Sequence, residues 1–180
     1  MKPLTLSRWV LMACVGAALT AFAGWSVKGE PEVGFTATGT VGLKFDGKTA
    51  KMVAKDDGKN TLITVLIKDL DTGIGLRNRH MSEDLESEKY PDISLSIPDE
   101  SLKVLADGKP AEGEGKGTFT LHGKSKDITF KYKTACKGTV CDVDANGSIN
   151  LKDYDVKVRS YMGVTVKPDV AIHAKFSLGQ

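Results

Sequence analysis

Alternation with a period of two runs through most of this chain and leaves few folds open to it. Val33, Phe35 and Ala37 share one parity, and Leu43 and Phe45 continue it. Further stripes follow at Ile63-Val65-Ile67, Ile93-Leu95-Ile97, Phe119-Leu121 and Ile128-Phe130-Tyr132. The last two are Val143-Ala145-Gly147-Ile149-Leu151 and Val170-Ile172-Ala174-Phe176-Leu178. The positions between are mostly Lys, Thr, Asp or Ser. Successive side chains on a strand point to opposite faces, so each stripe marks a strand with one apolar face. Turn chemistry separates them, at Asp46-Gly47, at Asp56-Asp57-Gly58-Lys59-Asn60 and at Gly123-Lys124-Ser125-Lys126. Residues 99–117 are rich in Gly and Lys, with a strand expected to enter at Gly115. About eight strands without a long amphipathic helix describe an all-β antiparallel meander. Closing such a sheet into a barrel removes both of its edges. An eight-stranded barrel is either filled by its own side chains or holds one small ligand. Phe35, Leu43, Ile63, Val65, Ile93, Leu95, Phe119, Leu121, Ile128, Phe130, Ile149 and Phe176 are expected to face its lumen.

The first 23 residues carry a different signal. Lys2 and Arg8 precede an uncharged apolar run, Trp9 to Ala23, that ends Ala21-Phe22-Ala23. This is the pattern of a secretory leader cut after Ala23, and the run is shorter than the roughly 20 residues that span a bilayer. Residues 24–180 then form one domain with no stable membrane anchor. The leader takes two of the 25 basic residues and none of the 23 acidic ones, leaving a balanced remainder. A neutral domain has no electrostatic footprint for nucleic acid. Cys136 and Cys141 remain after the leader is removed. In an oxidising compartment they read as a disulfide across a hairpin turned by Gly138-Thr139. A redox-active pair is the alternative, although no C-x-x-C motif is present.

Two further stretches carry a family resemblance. Residues 73–91 contain Gly73, Leu76-Arg77-Asn78-Arg79-His80-Met81 and Lys89-Tyr90-Pro91. They resemble the R-x-x-H-L…K-Y-P signature of the YceI-like family. Phe119-Thr-Leu-His-Gly123 resembles its strand ending L-T-L-H-G, and Gly147-Ser-Ile-Asn-Leu-Lys-Asp-Tyr154 its late G-x-I-x-R-x-D-F strand. The segment between His80 and Lys89 is about two residues shorter than that pattern, and Leu85-Glu86-Ser87 stands where an aromatic pair is common. The resemblance implies a lipocalin-like barrel in the periplasm of a Gram-negative bacterium. It implies binding of a long-chain isoprenoid lipid, polyisoprenoid or quinone-like, with no catalysis and no cofactor beyond such a lipid. Monomer and homodimer both remain open. Two alternatives stand beside a carrier or storage role: a lipid-modifying enzyme using His80 or His122, and a ligand-free envelope stress or structural barrel.

The charged segment at about 73–91 is expected to form a short helical cap. Leu76 with His80, and Met81 with Leu85, are spaced i,i+4 and set an apolar edge on one side. Pro91 forces Tyr90 out of helical geometry and restarts a strand. Arg77, His80, Met81 and Tyr90 are the cap residues proposed to meet a ligand. Arg77 and His80 suit a polar head group, because a ketone or hydroxyl entering an apolar lumen must keep a hydrogen bond. They equally suit pinning the cap to strand carbonyls. His122 is expected on the rim or outer face, beside the Gly123 turn. His80, His122 and His173 lack any metal-ligand spacing.

Overall fold

In the computed structural model, residues 26–101, 110–158, 160–161 and 163–179 are described. The expected leader, residues 1–23, lies outside them. The apolar stripes become β1 (Ser26–Gly39), β2 (Lys44–Thr49), β3 (Val53–Asp56) and β4 (Asn60–Leu66). The helix α1 (Gly75–Asp84) follows. Then come β5 (Asp92–Pro98), β6 (Ala111–Leu121), β7 (Lys124–Lys137), β8 (Val140–Asn150), β9 (Ser160–Tyr161) and β10 (Val164–Gly179). Nine strands form one antiparallel order, β2-β1-β10-β8-β7-β6-β5-β4-β3, and β9 adds to β10. The sheet curls into a lipocalin-like barrel with one short helix, as the alternation and the family resemblance implied.

The strand count and two boundaries differ from expectation. Ten strands stand among the described residues where about eight were expected. The first stripe is split by a 3-10 turn at Thr40–Gly42, and β9 is a two-residue addition. Asp46-Gly47 is not a turn, for both residues lie inside β2. There Asp46 Oδ1 accepts from Thr36 Oγ1 at 2.6 Å across the ladder. Gly47 is paired with Phe35, whose ring lies 2.4 Å from where a Cβ would stand. β6 enters at Ala111 rather than Gly115. Gly113 lies ahead of the expected strand start, but it forms one inward row with Gly115 and Gly117 opposite β7. A Cβ at Gly115 would stand 2.5 Å from the Phe130 ring, and one at Gly117 2.8 Å from the Ser96 carbonyl. Small residues on one strand make room for aromatic residues on the next.

The two ends of the barrel are built differently. At one end the β7–β8 hairpin carries the Cys136–Cys141 disulfide, next to the Lys137–Val140 pair that closes the turn. Gly138 has φ +60, the left-handed value that a type II′ turn needs at its first central position. Tyr132, Thr134, Cys136, Cys141 and Leu178 are all buried toward this end. Closing so small a ring contributes roughly 2 kcal/mol by loop-closure entropy. At the other end α1 and the 3-10 turn Leu151–Tyr154 lie over the strand ends. The sheet ends in two short edge strands, β2 and β3, and the seam lies between these ends. Among the described residues one isolated bridge closes the seam, joining β2 to the segment after β4 and the 3-10 turn Ile67–Asp69 rather than to β3: the Lys48 amide donates to Asp71 O at 3.0 Å and the Asp71 amide to Lys48 O at 2.8 Å.

The β4–β5 side carries an electrostatic cost. The Asp99 carboxyl is held above the usual carboxylate range, first by burial and then by the negative charge of Asp56. The hydrogen bond from Thr61 Oγ1, at 3.5 Å, is too long to offset this. A raised carboxyl pKa in the folded state favours folding below the ordinary value and loses that benefit as pH rises through the raised one. Asp99→Asn therefore raises the melting temperature at neutral pH, and the gain fades as pH falls below the ordinary carboxylate range. Thermal unfolding of both proteins across acid to neutral pH reads this directly. A gain that stays constant with pH would show that charge is not its cause.

Candidate functional site

Because every second strand residue points inward, the barrel wall is apolar wherever the sheet does not fill its own centre. Two cavities remain. The upper one, of about 550 Å³, lies between α1 and the barrel wall, and the lower one, of about 140 Å³, lies deeper toward the disulfide end. The upper volume alone falls in the range of small-molecule sites, roughly 300–1,000 Å³. Phe35, Leu70, Ile93, Phe119 and Ile172 line both cavities and form the wall between them.

All twelve stripe residues expected in the lumen face one cavity or both. Leu43, Leu121 and Ile149 line the upper one. Ile63, Val65, Leu95, Ile128, Phe130 and Phe176 line the lower one, and Phe35, Ile93 and Phe119 line both. Several lining residues had not been singled out. Val156 and Val158 alternate, as do Val164 and Val166, and all four line the upper cavity. Each pair carries the period-two signal, but over too few residues to mark a stripe by itself. Leu70 had no signal, since it lies outside any strand after the 3-10 turn Ile67–Asp69.

The cap is held by side chains at its start. α1 has no side-chain N-cap at Ile74. Instead Asn78 reaches back over the preceding turn. Its Nδ2 donates to Asp71 Oδ1 at 2.8 Å, and its Oδ1 accepts from the Thr72 amide at 2.8 Å and from Thr72 Oγ1 at 2.6 Å. Asp71 Oδ1 also accepts from the Gly73 amide at 2.9 Å. These bonds hold the Asp71 carboxyl below the usual carboxylate range, the Asn78 amide first and the Gly73 amide next. Since Asp71 also makes the seam bridge, one residue ties the cap to the barrel closure.

Arg77, His80, Met81 and Asp84 line the upper cavity from α1. The Arg77 guanidinium lies 5.1 Å from the centroid of the Phe45 ring, within cation–π reach. Met81 and Leu85 pack against the main core cluster. Tyr90, expected among the cap residues that meet a ligand, lines neither cavity. Its ring packs edge-on against His122 at 5.0 Å and covers Gly123, where a Cβ would stand 2.4 Å from it. Pro91 explains the direction: its carbonyl accepts from the Ile67 amide at 2.9 Å, so the chain is already pairing as a strand and Tyr90 is turned to the outside.

His122 lies at the rim, with φ +52, and lines neither cavity. Its Nδ1–H donates to the Tyr154 carbonyl at 3.0 Å, which fixes the tautomer because a carbonyl can only accept. Its Nε2 stands 3.4 Å from Glu86 Oε1. The ring therefore joins the β6–β7 turn, the end of the cap and the turn after β8. Among the described residues no group of three or more His, Cys, Asp or Glu is placed to hold a metal ion.

The sequence matches the YceI-like domain over residues 23–178. The chain belongs to the YceI-like family. Solved structures share its fold at low identity. A polyisoprenoid binding domain from Saccharophagus degradans, implicated in plant cell wall breakdown, aligns with TM-score 0.72 and 15% identity over 86% of this chain and 97% of its own. BcnA of Burkholderia cenocepacia aligns with TM-score 0.66 and 18% identity over 82% and 95%. The YceI protein of Campylobacter jejuni aligns with TM-score 0.55 and 16% identity over 100% and 99%. No curated protein matches the sequence.

The Asn78 staple in this YceI-like chain gives a direct test of how the cap is held. Asn78→Ala removes the three bonds that its side chain makes to the Asp71-Thr72 turn. Limited proteolysis within 71–90 is expected to become severalfold faster, while amide exchange in β7 and β8 is unchanged. Uniform acceleration across the barrel would mean that the staple supports the whole fold rather than the cap.

Proposed function

We propose that this protein binds a long apolar amphiphile, a polyisoprenoid or quinone-like lipid, inside its barrel, and that it carries or stores that lipid in the periplasm. The carrying observation is the pair of apolar cavities end to end, with the charged side chains Arg77, Asp84 and Lys157 and the imidazole of His80 at the upper one, while the lower one has His173 and Asn146 among an apolar lining. A chain fits the lower and middle sections, and a polar head fits the cap. The polyisoprenoid named for the Saccharophagus degradans domain supports this choice of ligand class. The leader pattern and the paired cysteines support the compartment.

The energetics favour a long occupant. Each Å² of apolar surface removed from water contributes about 25 cal/mol, so a few hundred Å² supplies several kcal/mol. Ordering the chain offsets part of this. The head is recognised differently. Arg77 is a permanent donor, while His80 donates or accepts according to tautomer, and either keeps a buried ketone or hydroxyl from losing roughly 1–3 kcal/mol. An enzyme built on His122 would need that ring to reach the cavities, and its Nδ1 is committed to the Tyr154 carbonyl outside them. No catalytic step is proposed.

Protein purified from the periplasm without detergent should release an isoprenoid lipid into organic solvent, identified by mass spectrometry. Recovery of the folded protein with no lipid, together with failure to bind an added prenyl quinone, would refute the reading. The head-group assignment has its own test. Arg77→Ala with His80→Ala should weaken binding of a quinone by about tenfold, in line with the loss of one or two buried hydrogen bonds. Binding of a plain hydrocarbon of equal length should hardly change. Equal losses for both ligands would mean that the pair only positions the cap.

A further inference from the structure

Three large apolar side chains at the upper cavity are exposed as well as cavity-lining. Leu43, Ile74 and Leu76 are 48%, 49% and 45% exposed, and all three line the cavity wall. They come from the turn before β2, the approach to α1 and the first turn of α1. A side chain that faces both cavity and solvent is part of a rim, so the upper cavity opens between these three. Cationic groups share the place. Lys44 follows Leu43 and is exposed, and Arg77 and Lys157 line the cavity. Asp84 is the acidic lining residue, and the nearby Asp71 carboxylate is already engaged by Asn78 and Gly73. The other exposed large apolar residues, among them Leu62 and Leu66 on β4, line neither cavity.

We propose that this rim docks onto an anionic lipid bilayer, so that an apolar chain passes between membrane and barrel without entering water. A surface that binds a membrane interface combines buried apolar side chains with basic residues facing anionic head groups. The rim supplies both. Its continuity with the cavity selects a bilayer over a protein partner: a packed protein face would seal the opening, whereas a fluid bilayer presents chains able to enter it. The inference builds on the carrier reading only for the passage of the chain, and docking itself is measurable without any isoprenoid.

The test is co-sedimentation of the purified protein with vesicles of phosphatidylcholine, with and without phosphatidylglycerol. Association is expected with the mixed vesicles, to be weaker with pure phosphatidylcholine, and to fall with added salt. Combined Leu43→Ser, Ile74→Ser and Leu76→Ser should reduce it by at least about tenfold, because the apolar term is removed. Lys44→Glu should reduce it severalfold on mixed vesicles alone. Leu62→Ser with Leu66→Ser, also exposed but away from the rim, should leave it unchanged. Should the triple variant unfold, Ile74→Ser and Lys44→Glu alone carry the same comparison. The proposal is overturned if the wild-type protein associates with neither vesicle, or if the rim variants associate as well as it does. It is also overturned if sedimentation velocity without vesicles shows a dimer that the serines abolish, since a second copy would then cover the rim. Isoprenoid binding in vesicle-free buffer reports on the carrier reading separately, whatever the vesicles show.

Discussion

The ladder between β1 and β10 is the contact on which the rest of the barrel depends. It runs from the Ser26–Gly179 pair to the Gly39–Val166 pair, with breaks near Lys28 and Ala37. Every other adjacent pair in the sheet order joins strands that follow one another closely in sequence, whereas this one brings β10 back to β1. Without it, β1 and β2 would be a free hairpin, and the meander would end in an exposed strand. With it, Phe35 stands beside Ile172, and together they form part of the wall between the two cavities. A contact of such long sequence separation closes at high entropic cost, and the enclosed lumen depends on it.

The remaining seam shows how a barrel can close without a full ladder. β2 and β3 are the ends of the sheet, and among the described residues one two-bond bridge, Lys48 to Asp71, ties β2 to the segment that follows β4. Asp71 also anchors the turn before α1 through Asn78. Closure of the sheet and attachment of the cap therefore share a residue. The opposite end has no such economy of contacts: it is packed with Tyr132, Cys136, Cys141 and Leu178, and crossed by the disulfide. The barrel has a fixed floor and a mouth held by polar bonds.

Much of this was legible in the sequence, and what was not has a physical reason. The stripes from Phe35 to Phe176 marked inward faces because alternation is a local property of each strand. Asp46-Gly47 was misread because a D-G dipeptide is the usual turn signal, and only the partner strand reveals that Phe35 needs an empty position there. Gly113 falls in the loop expected within the Gly- and Lys-rich stretch 99–117, and Gly115 only at its expected strand start. Their role depends on Tyr132 and Phe130 across the ladder, which no single stretch of sequence contains. The direction of Tyr90 was hidden for a similar reason, since Pro91 signals a strand but not the face its neighbour will take. The cap's existence was legible from spacing, but its anchoring by Asn78 was not, because the side chain bonds backward to a turn rather than forward to the barrel.

The wall shared by the two cavities has a kinetic meaning. Phe35, Leu70, Ile93, Phe119 and Ile172 leave two chambers where an unobstructed tube would leave one. An occupant confined to the upper chamber departs in one movement through the mouth. One that reaches the lower chamber must first draw its tail back past five side chains, while the head is already leaving its partners. For a barrel that carries a lipid as proposed, chain length would thereby be converted into residence time, and two lipids of similar affinity would differ in how long they stay.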